Sequence, residues 1–122
     1  MDSTTTTTTT HTIKVPKAFW EDHKDRGCVD DAYEVRELKW HFVLTLSERD
    51  LLDLYNDAWF YATESDLDFE LMGLKSSARA TRNAIAKQFG LEALAQMWLR
   101  NGHSVNSARR MGLPINNNNN NN

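Results

Sequence analysis

The spacing of apolar residues changes between Leu38 and Ala62, from every second position to helical spacing. In the first part, apolar side chains occupy alternate positions, at Leu38, Trp40, Phe42, Leu44 and Leu46. A period of two is typical of a strand that buries one face. We therefore predict a strand spanning Val35–Leu46, with these side chains in the core. A bulge or bend near residues 36–37 would explain why the alternation changes phase there.

The period then becomes helical. Ser47 can cap a helix by accepting from a backbone N–H, and Asp50 would add negative charge at the positive helix end. Apolar residues recur at helical spacing at Leu51, Leu54, Tyr55, Ala58 and Ala62. The opposite side carries Asp50, Asp53, Asp57 and Glu64. This pattern predicts a helix with one core face and one solvated acidic face.

Shorter patterns flank these two elements. Ile13 and Val15 predict a strand at His11–Val15 that pairs with the longer strand. Pro16 suits the first position of a short helix that Gly27 can end. The buried side of that helix would carry Phe19, Trp20 and His23. A second long helix is predicted from the helical spacing of Leu71, Leu74, Ala78, Ile85 and Phe89, and Gly90 is placed to end it. A shorter third helix is predicted from Leu91, Leu94, Ala95 and Trp98, and Asn101-Gly102 would end it.

Together these elements predict an α+β fold. A small antiparallel sheet of two or three strands would pack against two long helices and shorter ones. The chain of 122 residues suits a single domain. The Thr-rich start and the asparagine run at the end have no core of their own to form. We expect a disordered tail at 1–10, the domain at 11–102 and a flexible polar tail at 103–122.

Composition favours the cytoplasm. Cys28 is the only cysteine, so no disulfide can form within the chain, which suits a reducing compartment. No apolar run approaches the roughly 20 residues that span a bilayer, and the N-terminus does not resemble a secretory signal. We expect a cytoplasmic protein that does not bind membranes.

Charge is distributed unevenly along the chain. Residues 1–73 carry a net charge of −9, and residues 74–122 carry +6. The basic part can contact nucleic acid, or it can complement the acidic part of the same fold, which is the interpretation we favour. If nucleic acid is bound, the candidate residues are Lys75, Arg79, Arg82, Arg109 and Arg110.

Two segments resemble the turn of a helix-turn-helix, in which alanine and then glycine allow close helix approach. They are residues 85–90 and 108–112. Each is incomplete, because Gln96 replaces an expected apolar contact after the first, and Pro114 with the asparagine run follows the second. The motif therefore gives sequence-specific DNA binding little support.

No catalytic, nucleotide-binding or metalloprotease motif occurs in the sequence, and no cofactor is predicted. Asp22, His23 and Asp25 supply groups for acid–base chemistry, but their spacing matches no motif. We expect His23 to be bonded to a carboxylate or a backbone group, and an enzyme centred on it is the third hypothesis. The spacing of histidines around Cys28 fits no zinc site. Asp66, Asp68 and Glu70 fail the calcium-loop pattern, which requires glycine where Leu71 stands and glutamate where Ser77 stands.

Phe60 stands apart from the other aromatic residues of its helix. On a helical wheel it lies with Asp53, Asn56 and Asp57, opposite the apolar stripe. The helix around Phe19 or the segment 66–69 can cover it, which we favour, or it anchors a partner protein. The leading functional hypothesis is a non-enzymatic binding protein that uses Asp53, Asn56, Asp57 and Phe60.

Several segments resemble a group of small uncharacterised proteins from actinobacteria and their phages. The similarity lies in Val15-Pro16-Lys17, Phe19-Trp20-Glu21-Asp22-His23, Asp25-Arg26, Asn56-Asp57-Ala58, Phe60-Tyr61-Ala62, Gly73-Leu74 and Ser77-Ala78-Arg79-Ala80-Thr81. It covers about residues 13–88 and omits the Thr tract, the third helix and the Asn tail. The resemblance implies a compact intracellular α+β protein encoded by a phage or mobile element. If the protein is phage-derived, inhibition or redirection of a host factor is the natural hypothesis.

Overall fold

A computed structural model describes residues 10–25, 34–63 and 72–115 of the chain. These residues form a three-stranded antiparallel sheet and five helices, which confirms the predicted α+β class. The strands are β1 (Thr10–Pro16), β2 (Glu34–Glu37) and β3 (His41–Ser47). The helices are α1 (Lys17–Asp25), α2 (Glu48–Thr63), α3 (Met72–Phe89), α4 (Leu91–Arg100) and α5 (Val105–Arg110).

The sheet has the order β1-β3-β2, so β3 is the central strand. Ile13 pairs with Leu44 and Val15 with Phe42 in the β1–β3 register. Directly opposite residues share a face of the sheet, and Ile13, Val15 and Leu44 are all buried. The predicted pairing of the first strand with the longer segment is confirmed.

The predicted strand Val35–Leu46 is instead two strands joined by a chain reversal. The Leu38 N–H donates to the His41 carbonyl at 2.8 Å, which closes a turn through Lys39 and Trp40. The phase change comes from this reversal at residues 38–41, so the bulge or bend that we expected near residues 36–37 is wrong. Trp40 is 70% exposed and Leu38 is 37% exposed, so their assignment to the core is also wrong. The alternation of apolar and polar residues continues through the turn, where none of the described helices covers the side chains.

Helix α2 begins as predicted. The Asp50 N–H donates to Ser47 Oγ at 3.1 Å, so Ser47 caps the helix. The apolar stripe is buried as expected, at Leu51, Leu52, Leu54, Tyr55, Ala58 and Ala62. The other side is less solvated than predicted, because Asp50 is itself buried.

Helix α1 follows β1 directly. Pro16 is the last residue of β1 rather than the first of the helix, which begins at Lys17. The predicted buried side is confirmed, since Phe19, Trp20 and His23 are all buried. Gly27, predicted to end the helix, lies outside the described residues.

Helices α3 and α4 are joined by one residue, Gly90. Its φ of 87° is in the left-handed region that favours glycine, which confirms the predicted break. Helix α3 buries Ala78, Thr81 and Ile85. Helix α4 buries Leu94, Ala95, Met97 and Trp98 and ends at Arg100, just before Asn101-Gly102, as predicted.

A fifth helix lies in the segment predicted to be a flexible tail. The Ser107 N–H donates to Ser104 Oγ at 3.0 Å, so Ser104 caps α5. Ala108, Met111 and Leu113 are buried in the main hydrophobic core. The predicted domain boundary at 102 is therefore too early, because the packed structure continues to at least residue 113.

Candidate functional site

His23 lies in the core and is bonded to Asp57 across 34 residues of sequence. The Asp57 carboxylate accepts from His23 Nδ1 at 2.6 Å, and the ring is 0% exposed. It stacks on Phe19 with ring centroids 6.1 Å apart and lies 5.9 Å from the Trp20 ring. This hydrogen bond links α1 to α2. The expected bond from His23 to a carboxylate is confirmed.

This burial bears on the enzyme hypothesis. General acid–base chemistry requires a proton to pass between the ring and a substrate within hydrogen-bond distance. One ring nitrogen of His23 is hydrogen-bonded to Asp57, and the side chain has no surface in contact with solvent. Asp25 lies exposed at the end of α1. In this arrangement the imidazole of His23 has no exposed surface at which a substrate could reach it. Among the described ranges, no three His, Cys, Asp or Glu side chains come together as a metal site.

A groove runs along the outer side of α2 towards α5. Its volume is about 670 Å³, and it is lined by Asn56, Asp57, Trp59, Phe60, Thr63 and Arg110. We call this the α2 groove. Three of the four residues predicted to bind protein line it, and the fourth, Asp53, does not. Sequence reasoning did not associate Arg110 with this side of the fold, because α5 was assigned to a tail.

Phe60 is the most exposed apolar side chain of α2. It remains 46% exposed, so the described elements do not cover it as we had favoured, and the segment 66–69 lies outside the described residues. Its ring meets Tyr61 edge to face, with centroids 5.3 Å apart and planes at 87°. This contact orients one aromatic ring against another beside the groove.

Asp53 has a different role from the groove residues. It is half-buried one helical turn before Asp57. Burial raises the pKa of Asp53, and repulsion from Asp50 raises it further. The charged form of Asp53 is therefore less favoured than that of a fully solvated aspartate.

The sequence did not indicate a cluster of polar contacts around Glu48, the first residue of α2. Arg100 and Asn101 at the end of α4 both donate to its carboxylate, Asn101 at 2.9 Å, and His11 of β1 lies 3.4 Å from it. The hydrogen bond from Arg100 is the main reason that the pKa of Glu48 falls from 4.5 to about 2. The cluster joins β1, α2 and α4, and its members are too far apart in sequence to form a pattern.

We expect Glu48→Gln to lower the free energy of unfolding by about 2 kcal/mol at pH 7, because it weakens charge-assisted hydrogen bonds. A pKa lowered by folding stabilises the protein above pH 4.5, and this contribution is lost as the pH falls towards 2. Urea unfolding of both proteins at pH 7 and at about pH 3 measures the difference. It should shrink at the lower pH, whereas Glu92→Gln on the exposed side of α4 should have little effect at either. A difference that does not change with pH would contradict this explanation.

The predicted basic residues fall on two helices. Lys75, Arg79 and Arg82 lie three and four residues apart on α3, and therefore on one side of it. Arg109 and Arg110 are exposed on α5. Within the described ranges, none of these five pairs with a carboxylate, whereas Arg100 does. The interpretation that basic helices complement acidic parts of the fold thus has one clear example, at Glu48.

Neither segment resembling a helix-turn-helix presents a basic recognition helix. Gly90 does form the turn between α3 and α4, but the exposed residues of α4 include Glu92, Gln96 and Leu99. After the second segment, residues 111–115 form no helix. The α3 residues remain the better candidates for a contact with nucleic acid.

No protein-family model matches the chain, and no similar protein was found among curated sequences or solved structures. None of the described helices combines the length and apolar character needed to cross a bilayer.

Proposed function

We propose that this chain is a non-enzymatic protein-binding protein whose α2 groove holds a segment of another protein. The observation that carries the proposal is Phe60, an aromatic ring left 46% exposed within a groove that also contains Arg110. Large exposed aromatic rings in concave surfaces are typical anchors of protein interfaces.

The lining of the groove indicates the chemistry of its partner. Covering the exposed part of Phe60 would contribute about 2 kcal/mol at about 25 cal/mol per Å² of apolar area. Trp59 extends the apolar surface, and Arg110 offers a planar guanidinium that can bind a carboxylate through two hydrogen bonds. The partner segment would therefore carry an apolar side chain next to an aspartate or glutamate. In keeping with the resemblance to phage proteins, we propose that it belongs to a host protein in the cytoplasm.

A display library of random peptides of about ten residues tests this proposal without knowledge of the partner. We expect selection on the wild-type protein to enrich peptides with an apolar and an acidic residue. Phe60→Ala should weaken their binding at least about tenfold, which corresponds to about 1.4 kcal/mol. Trp40→Ala is the matched control, because Trp40 is another highly exposed aromatic residue and lies on the β2–β3 turn.

Two adjacent arginines provide a second comparison. Arg109 and Arg110 are both exposed on α5, but only Arg110 lines the groove. Arg110→Glu should abolish the preference for acidic peptides, and Arg109→Glu should preserve it. Selected peptides that bind wild type and Phe60→Ala equally well would refute the groove as the binding site.

A second candidate function is nucleic-acid binding by α3. It is favoured by one observation, that Lys75, Arg79 and Arg82 share one side of the helix and, in the part of the chain described here, pair with no carboxylate. Three such cations would bind phosphate with an affinity that falls as salt rises.

We expect that, if this function exists, Arg79→Ala with Arg82→Ala weakens binding to duplex DNA at low salt and reduces its salt dependence. Lys87→Ala is the control, since Lys87 is exposed on α3 but lies away from that side. Titrations at low and high salt measure the effect. No binding at low salt, or binding unaffected by the double substitution, would exclude this candidate.

A further inference from the structure

Among the described strands, β2 lies at an open edge of the sheet. It pairs with β3 on one side, and all four of its residues are exposed. Val35 is 49% exposed although it lies opposite Leu44, which is fully buried. Its side chain is therefore on the core face of the sheet, at a place where the described helices do not cover it.

The hydrogen-bond pattern shows which backbone groups point away from the sheet. The bond from the Leu38 N–H to the His41 carbonyl makes these two residues a hydrogen-bonded pair. Such pairs alternate along antiparallel strands, so Arg36–Val43 is also a hydrogen-bonded pair and Val35–Leu44 is not. The backbone N–H and C=O of Val35 and Glu37 consequently point outward, where another strand can reach them.

We propose that a second copy of this chain pairs with this edge in antiparallel orientation, with Val35 opposite Val35 on a two-fold axis. The two three-stranded sheets would join into one continuous sheet. This pairing lets the outward groups of Val35 bond to their equivalents and brings two half-exposed valines together on the core face. On the other face, Glu34 of each copy lies opposite Arg36 of its partner, which gives two opposite-charge pairs.

Charge selects this register over its neighbours. Only alternate residues, such as Val35 and Glu37, turn their backbone N–H and C=O groups outward. The pairing of the two β2 strands can therefore change only in steps of two residues. A shift in one direction puts Arg36 opposite Arg36, and a shift in the other direction puts Glu34 opposite Glu34, and like charges directly opposite each other are destabilising. Short length and charge also protect β2 from indiscriminate pairing. Since β2 has only four residues, we expect a dimer that depends on protein concentration.

Charge reversal tests the proposal. Sedimentation of the full chain from about 1 to about 500 µM should show a monomer–dimer equilibrium. Arg36→Glu and Glu34→Arg should each raise the dissociation constant about tenfold or more, because each creates like-charge pairs. The double variant Glu34→Arg with Arg36→Glu restores opposite charges and should return the constant to within about threefold of wild type. A monomer at every concentration, single variants that dimerise like wild type, or a double variant as weak as the singles would overturn the proposal.

Disulfide cross-linking tests the register. In a Cys28→Ser background, Val35→Cys would place two sulfur-bearing residues with Cα atoms about 5.5 Å apart, which a disulfide can span. Glu37→Cys is the matched control, because the two residues 37 would be about 14 Å apart. We expect a covalent dimer from Val35→Cys only. A covalent dimer from Glu37→Cys, or none from Val35→Cys in a protein that circular dichroism shows to be folded, would overturn the register.

Discussion

Ending the chain after Gly102 should lower the free energy of unfolding by at least about 4 kcal/mol or prevent folding, because α5 completes the core. Ala108, Met111 and Leu113 are buried, and their removal would expose the surface of α4 that they cover. Trp98 would also lose the bond from its Nε1 to Ser107 Oγ, which is 2.8 Å long, and the stacking of His103 on its ring.

The matched control ends the chain after Ile115 and keeps α5 and its buried residues. Urea unfolding should give this protein a stability within about 0.5 kcal/mol of the full chain. If the shorter protein does not fold, Met111→Ala in the full chain provides a second test and should cost about 2–3 kcal/mol. Full-length stability in the protein that ends at Gly102 would show that the packing of α5 contributes nothing.

Replacing Asp57 with alanine should cost about 3 kcal/mol, because it leaves a fully buried imidazole without the carboxylate that accepts from it. Among the described residues, His23 Nε2 has no hydrogen-bond partner, so Asp57 accounts for the polar contact of the ring. Loss of this contact should loosen α1 from α2.

Asp53→Asn is the matched control for Asp57→Ala, one turn away on the same helix. Since burial and Asp50 raise the pKa of Asp53, its charged form destabilises the fold as the pH rises, and the neutral amide should be tolerated or slightly stabilising at pH 7. Thermal and urea unfolding measure both variants. Equal stabilities for Asp57→Ala and wild type would mean that the His23 contact is energetically unimportant. Because Asp57 supports the fold, it is also a poor residue for testing the α2 groove.

Local patterns predicted much of the fold. The Ser47 cap, the apolar stripe of α2 and the break at Gly90 each depend on neighbouring residues, and each is confirmed. The chain reversal at Leu38–Trp40 is not marked by a comparable pattern of neighbouring residues. No non-glycine residue with positive φ occurs in the described chain, so this turn does not need the glycine or asparagine that usually marks one. The alternation of apolar residues therefore predicted one continuous strand across the turn.

The α2 groove was predictable only in part. The helical wheel placed Asn56, Asp57 and Phe60 together, and these three residues do line one surface. Arg110 and the His23–Asp57 bond depend on how α5 and α1 pack, which no local pattern specifies. One overlooked signal was present, because Val105, Ala108 and Met111 recur every three residues after Ser104, as in a short capped helix.

The two edges of the sheet are not equivalent, and this limits the size of any assembly built from it. Gln88 of α3 donates from Nε2 to the Thr12 carbonyl at 2.8 Å, and so occupies an outward acceptor on the β1 edge. A strand adding there would have to displace α3 from this contact. Growth through β2 alone consumes the open edge of both copies, which favours a closed pair over an endless filament.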